Sequence, residues 1–332
     1  MPRPHKKAVQ NPRHLLSVVV SARILPSMNR RHFLASSLGF AAASPLAAIG
    51  PIQRAGQSRM QLGVAAYSFR EAFQWSRGKE QKVEGRKPWS ILDFIDWCAD
   101  HNVPGAEVTS YFFPPDVDDA FLLEVRRHAY LRGVQLAGTA VGNNFALPKG
   151  PKLDEQIADV KKWIDHAAVM GAPHIRVFAG PVPKDISIEE AVANCTAAYQ
   201  ECLDHAGKKG VFLGLENHGG IVAEPDNLIK MVRDVNSPWA GINFDSGNFH
   251  TEDPYGDLAK IAPYAINVQL KMEMRAKGIE RNQPGEPTDI PRLLKILRDA
   301  NYQGWFTIEF EEKKDPFVEV PKIVERLRTL LA

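Results

Sequence analysis

Glu216, Asp245, Gln269 and Glu309 each stand at the end of a short apolar run, and together they could hold a metal ion. The stretch Phe212–Glu216 reads FLGLE and Gly241–Asp245 reads GINFD, and turn-forming residues follow both at once, NHGG and SGN. A run of four or five apolar residues bounded by turn signals reads as a strand buried on both faces. A polar residue that closes such a strand sits at the mouth of a parallel sheet, where these architectures place their ligands. Three carboxylates and an amide form an oxygen-rich set, which favours Mg2+ or Mn2+, with Co2+ compatible, over a thiolate-type zinc site. Three carboxylates around a divalent cation leave one surplus negative charge, which keeps a glutamate basic enough to take a proton. Lys271 and Arg275 can balance that charge and grip substrate oxygens.

Other polar residues fall at strand ends as well: Glu107, Asn143, Asn144, Arg176, His218, Asn248, His250 and Glu311. A lone strand-end carboxylate is more often a helix cap or a surface ion pair than a ligand; four successive strands with such ends favour a site. Arg176 lies inside an apolar strand, where burial requires a partner, so a rim carboxylate or a substrate oxygen is expected beside it. His218 reads equally as a donor behind the ligands, a substrate contact or a turn residue before two glycines. Glu311 shares a strand face with Glu309 by alternation. His174 and Glu107 fit structural positions in a barrel interior, and His128, His166 and His205 lie on helical stretches, where solvated side chains are expected.

The elements that must position these residues alternate regularly from Met60 onward. Strand-like runs fall at Leu62–Tyr67, Gly105–Thr109, Gln135–Ala140, His174–Phe178, Phe212–Glu216, Ala240–Asp245, Ile266–Leu270 and Trp305–Phe310. Helical patterns lie between them, among them Trp89–His101, Leu153–Met170, Ile186–Lys209 and Thr288–Ala300. In Leu153–Met170 the positions Ile157, Val160, Ile164, Ala167 and Ala168 form one apolar stripe. Gly133, Gly171 and Gly210 read as helix C-caps. Eight such units fit a (β/α)8 TIM barrel, a fold of typically ~250 residues, as a single domain over residues 60–332. An open doubly wound sheet is the alternative, but no Gly-x-Gly-x-x-Gly turn follows the first strand. The insertion Glu71 to Pro88, rich in Lys and Arg, would hang over the barrel mouth as a lid carrying Phe73 and Trp75, or else be a solvated loop.

The charge balance is uneven along the chain. Residues 1–59 hold nine of the 41 Lys and Arg and none of the 39 Asp and Glu, so the remainder carries 32 basic residues and a net charge of −7. An acidic body is a poor partner for phosphate backbones, so no nucleic-acid partner is expected. The leader contains NRRHFL at Asn29–Leu34, which resembles the twin-arginine export motif, followed by a small-residue apolar stretch from Leu34 to Ala48. That stretch is too short to span a bilayer and suits a signal segment, with a cleavage pattern at Ala41–Ala43. Residues 1–48 are therefore expected to be a twin-arginine signal region, with residues 1–27 an over-called start before Met28. The twin-arginine translocase is the implied partner, and the periplasm or exterior the destination; an Arg-rich organellar transit peptide is the alternative. Cys98, Cys195 and Cys202 show no ligand spacing and read as core thiols.

From about Gly63 onward the chain resembles the sugar isomerase/epimerase family with the xylose-isomerase-like barrel. The segments GVAAYSF, GAEVTSYFF, HIRVFAG, LGLENHGG, NFDSGN, VQLK and GWFTIEFE carry the likeness. In that family a Glu, an Asp, a His or Gln, and a second Glu hold one divalent metal, and the match places these roles on Glu216, Asp245, Gln269 and Glu309. The resemblance also implies that Glu216 and Glu309 act as acid and base on opposite faces of the substrate. Arg275 matches an arginine that binds substrate beside the metal in ketose epimerases. The substrate contacts would then be Arg176, His218, Asn248, Lys271, Arg275 and Asn143. Two departures stand out. Asn248 replaces a histidine, and Val222 an acid, that ketose 3-epimerases carry; Gln in place of His also occurs in the hydroxypyruvate-isomerase-like and inosose-dehydratase-like branches.

The expected activity is a divalent-metal-dependent isomerase or epimerase acting on a keto sugar or related polyol, a small-molecule carbohydrate, through an enediolate. Proton return to the other face gives epimerisation, and return to the adjacent carbon gives isomerisation. Loss of a β-substituent would make the same site a lyase or dehydratase acting on a 3-keto-glycoside or inosose. An AP-endonuclease-type phosphodiesterase shares the barrel but would need more histidine ligands and a basic groove. A non-catalytic sugar-binding barrel is the remaining alternative.

Overall fold

The computed structural model describes residues 50–279 and 283–331, which belong to one compact unit. The leader and its twin-arginine motif lie outside the described residues. Eight parallel strands close a barrel: β1 (Arg59–Ala65), β4 (Gly105–Thr109), β5 (Gln135–Ala140), β6 (His174–Phe178), β7 (Phe212–Glu216), β8 (Ala240–Asp245), β9 (Ala265–Leu270) and β12 (Gln303–Ile308). They follow one another around the barrel in chain order, and β12 closes on β1. Strands β7 and β8 are buried almost throughout, as runs packed on both faces must be.

Helices separate the strands: α1 (Ile91–Asp100), α2 (Asp119–Leu131), α3 (Pro151–Met170), α4 (Ile188–Lys209), α5 (Pro225–Asp234), α6 (Pro254–Ile261), α7 (Ile290–Asp299) and α8 (Pro316–Leu331). Their ends are chemically marked. Ser90 and Asp93 form a capping box at α1, and the Ser187 hydroxyl accepts from the Glu190 amide at α4. Gly133, Gly171 and Gly210 take positive φ of 70°, 81° and 71° after their helices, as the sequence pattern predicts. The stripe on α3 is buried at Ile157, Val160, Ile164 and Ala167. Cys98, Cys195 and Cys202 are buried free thiols. Among the described residues no helix is long and apolar enough to cross a membrane.

Several expectations are corrected. The first and last barrel strands begin and end earlier than the apolar runs suggest, so Tyr67 falls in a 3-10 turn and Glu309 lies one residue beyond its strand. Residues 71–88 are anchored at one end and solvated at the other, with residues 77–80 and 84–88 exposed. Phe73 is fully buried and stacks on Phe112 with centroids 4.2 Å apart, so the aromatic anchors the segment to the core. The segment carries a two-stranded hairpin, β2 (Trp75–Ser76) with β3 (Lys79–Glu80), whose tip residues Arg77 and Gly78 have φ of 52° and 76°. The helical histidines are not simply solvated: His128 Nε2 lies 2.8 Å from Asp96 and His205 Nε2 lies 3.0 Å from Asp165, while His166 Nε2 is buried without a hydrogen bond.

Candidate active site

Register places the polar strand ends at one level. Glu216 is opposite Phe178 and Asn243, Asp245 is opposite Gln269, and Gln269 is opposite Thr307. Glu216 ends β7 with Oε2 2.9 Å from Arg176 Nε, and its Oε1 accepts from Asn248 Nδ2 at 2.9 Å. Arg176 is thus paired with a rim carboxylate; it also donates to the Val141 carbonyl at 2.9 Å and lies 3.9 Å from the Phe178 ring centroid. Asp245 is held through its backbone, since the Asn217 amide accepts from its N–H and donates to its carbonyl, at 2.9 and 2.8 Å. Its Oδ1 accepts from the Gly247 amide at 2.8 Å.

One strand further round, just beyond β9, Lys271 threads past Gly247, where a Cβ would stand 2.6 Å from its Cγ. Its ammonium lies 2.5 Å from Glu309, 3.1 Å from Glu311 and 3.4 Å from Asp245. Glu309 and Glu311 therefore share a face, as alternation predicts. Arg275 is braced by Glu273 at 2.8 Å, in a loop held by the short pairing of β10 (Glu273–Met274) with β11 (Glu286–Pro287).

Beneath this layer runs a closed ring of hydrogen bonds. Gln269 donates to Glu107 at 2.7 Å and accepts from Asn243 at 2.6 Å, while Asn267 joins Asn243 at 2.8 Å to Glu107 at 3.4 Å. Gln269 is thereby turned into the barrel interior, and both ends of its amide are engaged. The Asn143 amide is likewise spent, donating to the Phe178 carbonyl at 2.7 Å and accepting from its N–H at 2.8 Å. Asn143 is therefore a clamp on β6 and not part of the reaction cavity.

The cavity above, of about 510 Å³, is lined by Glu216, Glu309, Lys271, His218, Asn248 and Arg275 together with Arg176, His250 and Glu311. Tyr67, Arg77, Tyr111, Glu273 and Glu312 line it too, and sequence reasoning did not single them out. Tyr67 and Tyr111 lie in the short turns after β1 and β4, inside two of the segments that carry the family likeness. Asp245 and Gln269 lie below the cavity surface and are almost completely buried.

Electrostatics mark the layer. Burial pushes Glu216 and Asp245 above the usual carboxylate range; Arg176 and Lys271 oppose this, and repulsion from Glu309 adds to it. Glu107 is raised to about 8, by burial first and then by Glu309. Although burial works against its charge, Asp245, Glu309 and Glu311 hold Lys271 well above its ordinary value. Burial lowers His218, which packs 4.5 Å from the Phe178 ring.

The expected convergence of four metal ligands is met only in part. Among the described residues no three His, Cys, Asp or Glu side chains are grouped so as to hold a metal ion, and the Lys271 ammonium stands between Asp245 and Glu309. The donor chemistry nevertheless fits a hard divalent cation. Among the described residues Arg176 and Lys271 are the cations in direct contact with the buried Glu216, Asp245 and Glu309, and Asp245 Oδ2, 3.4 Å from the Lys271 ammonium, is buried without a close hydrogen bond. Glu216, Asp245 and Glu309 would hold the ion; Gln269 could join only by leaving Asn243 and Glu107.

Residues 95–330 match the family described as the xylose isomerase-like TIM barrel, and the chain belongs to that family. A curated relative, inosose dehydratase of Bacillus anthracis, is 28% identical over 144 residues, covering 36% of this chain and 47% of its own length. The chain thus matches about half of that relative. Among solved structures, D-psicose 3-epimerase in the presence of D-fructose superposes with a TM-score of 0.63 at 18% identity, covering 82% of this chain and 97% of that one. The IOLI protein with a bound zinc atom gives a TM-score of 0.63 at 16% identity, with 81% and 96% covered. The fold is common to all of these, and the family includes sugar isomerases, epimerases and dehydratases.

Proposed function

We propose that this protein is a divalent-metal-dependent isomerase or epimerase that moves protons on a keto sugar or a related polyol. The observation that carries the reading is that Glu216 and Glu309 open on one cavity, each against its own cation, Arg176 and Lys271. When bound, a divalent ion supplies a Lewis acid that polarises a carbonyl. Glu216, oriented by Arg176 and Asn248, takes the proton from the carbon beside that carbonyl. Glu309, which takes a proton from the Lys271 ammonium 2.5 Å away, delivers it to the enediolate, and exchange with solvent restores Lys271 and Glu216. Arg275 and His218 grip the hydroxyls, and Tyr67 and Tyr111 close the cavity wall. Mn2+ or Mg2+ suits the oxygen donors best, with Co2+ compatible. The likeness to inosose dehydratase favours one second reading, β-elimination at the same site.

Protein supplied with Mn2+ and a panel of keto sugars in D2O is expected to place deuterium at the carbon beside the carbonyl of the true substrate. Glu309→Gln keeps an oxygen ligand but loses the group that returns the proton, so turnover should fall by ~10²–10⁴-fold. Near-wild-type turnover in both Glu309→Gln and Glu216→Gln would refute the two-glutamate mechanism. We also propose export by the twin-arginine route, on the strength of Arg30 and Arg31 ahead of an apolar stretch. Replacing both arginines by lysine should strand unprocessed protein in the cytoplasm, and normal secretion of that variant would sink the idea.

A further inference from the structure

Beside the reaction cavity lies a second one of about 660 Å³, and Arg77, Tyr111 and Phe178 line both. Each is of a size that takes a small-molecule unit, roughly 300–1,000 Å³. The second cavity is walled by Gln156, Asp159, Lys162, Trp163 and His166 of α3, so an apolar indole lies among hydrogen-bonding groups. One of its polar atoms, His166 Nε2, is buried without a hydrogen bond, while the Tyr111 hydroxyl is buried against the Arg176 side chain. Buried polar atoms without partners are uncommon and costly. A sugar hydroxyl both donates and accepts, so it can satisfy a phenol and an imidazole nitrogen of either tautomer.

The joint between the cavities is built. Arg77 sits at the hairpin tip with φ of 52°, a left-handed conformation that costs a non-glycine residue on the order of 1–3 kcal/mol. That turn sets its guanidinium 3.7 Å from the centroid of the Tyr111 ring. Gly142 leaves the space they use, since a Cβ there would stand 3.0 Å from the Tyr111 ring and 3.2 Å from Arg77 Nη1.

We propose that the second cavity is a subsite for a glycosyl unit, so that the substrate is a keto sugar bearing a glycosyl substituent, with Arg77 and Tyr111 gripping the link between the rings. This rests on reading the reaction cavity as a keto-sugar site. The α3 face then selects the substituent, and the reaction cavity holds the ring that loses its proton.

Calorimetric titration of the wild-type protein, supplied with Mn2+, compares D-fructose with turanose, lactulose and palatinose, which carry a glycosyl group at different hydroxyls of the same ketose. At least one disaccharide is expected to bind about tenfold or more tightly than fructose. His166→Leu, which replaces an unpaired nitrogen and should fold normally by circular dichroism, is expected to erase most of that advantage while fructose binding stays as it was. Arg77→Ala should weaken the preferred disaccharide as well. Disaccharides that bind no tighter than fructose, or an advantage that survives His166→Leu, overturn the second subsite alone. Failure of fructose and every disaccharide to bind overturns the subsite together with the keto-sugar reading.

Discussion

Lys271 ties the ends of three neighbouring strands together, contacting Asp245 at the end of β8 and Glu309 and Glu311 beyond β12. Removing one partner of a buried ion pair typically costs ~3–5 kcal/mol, because the other charge is left without compensation. Lys271→Met is therefore expected to lower the Tm of chelated protein. A divalent cation would then meet the carboxylates unopposed, so Mn2+ should raise the Tm of the variant by more than that of the wild type. Equal Mn2+ shifts in the two proteins would show that these carboxylates do not share a cation. At this scale Glu216, Asp245 and Glu309 were legible in the sequence, because a carboxylate that closes an apolar run has to stand at the barrel mouth. Gln269 was legible as a strand-end amide but not in its partners, since Glu107 and Asn243 reach it from other strands. The same limit holds for Asn143: its amide finds the Phe178 backbone, 35 residues away, which no local pattern shows.

Between strands, glycines set how closely side chains from one element can cross another. Gly138 on β5 makes room for His174 on β6, since a Cβ at 138 would lie 2.0 Å from the imidazole Cε1. Contacts under 3.0 Å force something to shift, and overpacking of this kind costs typically ~1–3 kcal/mol. Gly138→Ala is expected to lower unfolding stability by about that amount or more in urea titrations. The double change Gly138→Ala with His174→Ala should cost less than the sum of the singles, because the clash is gone. Strict additivity would mean that the two sites do not touch. The order of strands and helices was legible because short apolar runs bounded by turn residues alternate along the chain with apolar stripes of period 3.6. The hairpin in residues 71–88 was not, because its charges suggest solvent while Phe73 is held by Phe112 and Trp89, residues brought near only by the closed fold.

The molecule as a whole keeps a neutral imidazole inside its barrel wall, and this gives its stability a dependence on pH. His174 is buried, and burial lowers it to about 4 despite a backbone hydrogen bond at Ala137. In an unfolded chain a histidine takes up its proton near 6.5. Between those two values the unfolded chain binds a proton that the folded one refuses, so stability falls as the pH drops from about 6.5 to about 4. Above that window the contribution is fully present. The group faces Gly138 and Ala137 of β5, so no neighbouring carboxylate is needed to explain the shift. The size of the effect is about 3 kcal/mol, most of it already lost near pH 4.5. Urea unfolding of the wild type at about pH 7.5 and about pH 4.5 contains this loss together with every other titration. His174→Gln removes it alone, so the difference between the two pH values should shrink by about 2–3 kcal/mol in that variant. Its stability at neutral pH should also be lower, because the amide fills the space differently. An unchanged pH difference in the variant would show that His174 is already protonated in the folded barrel, and that its wall admits charge.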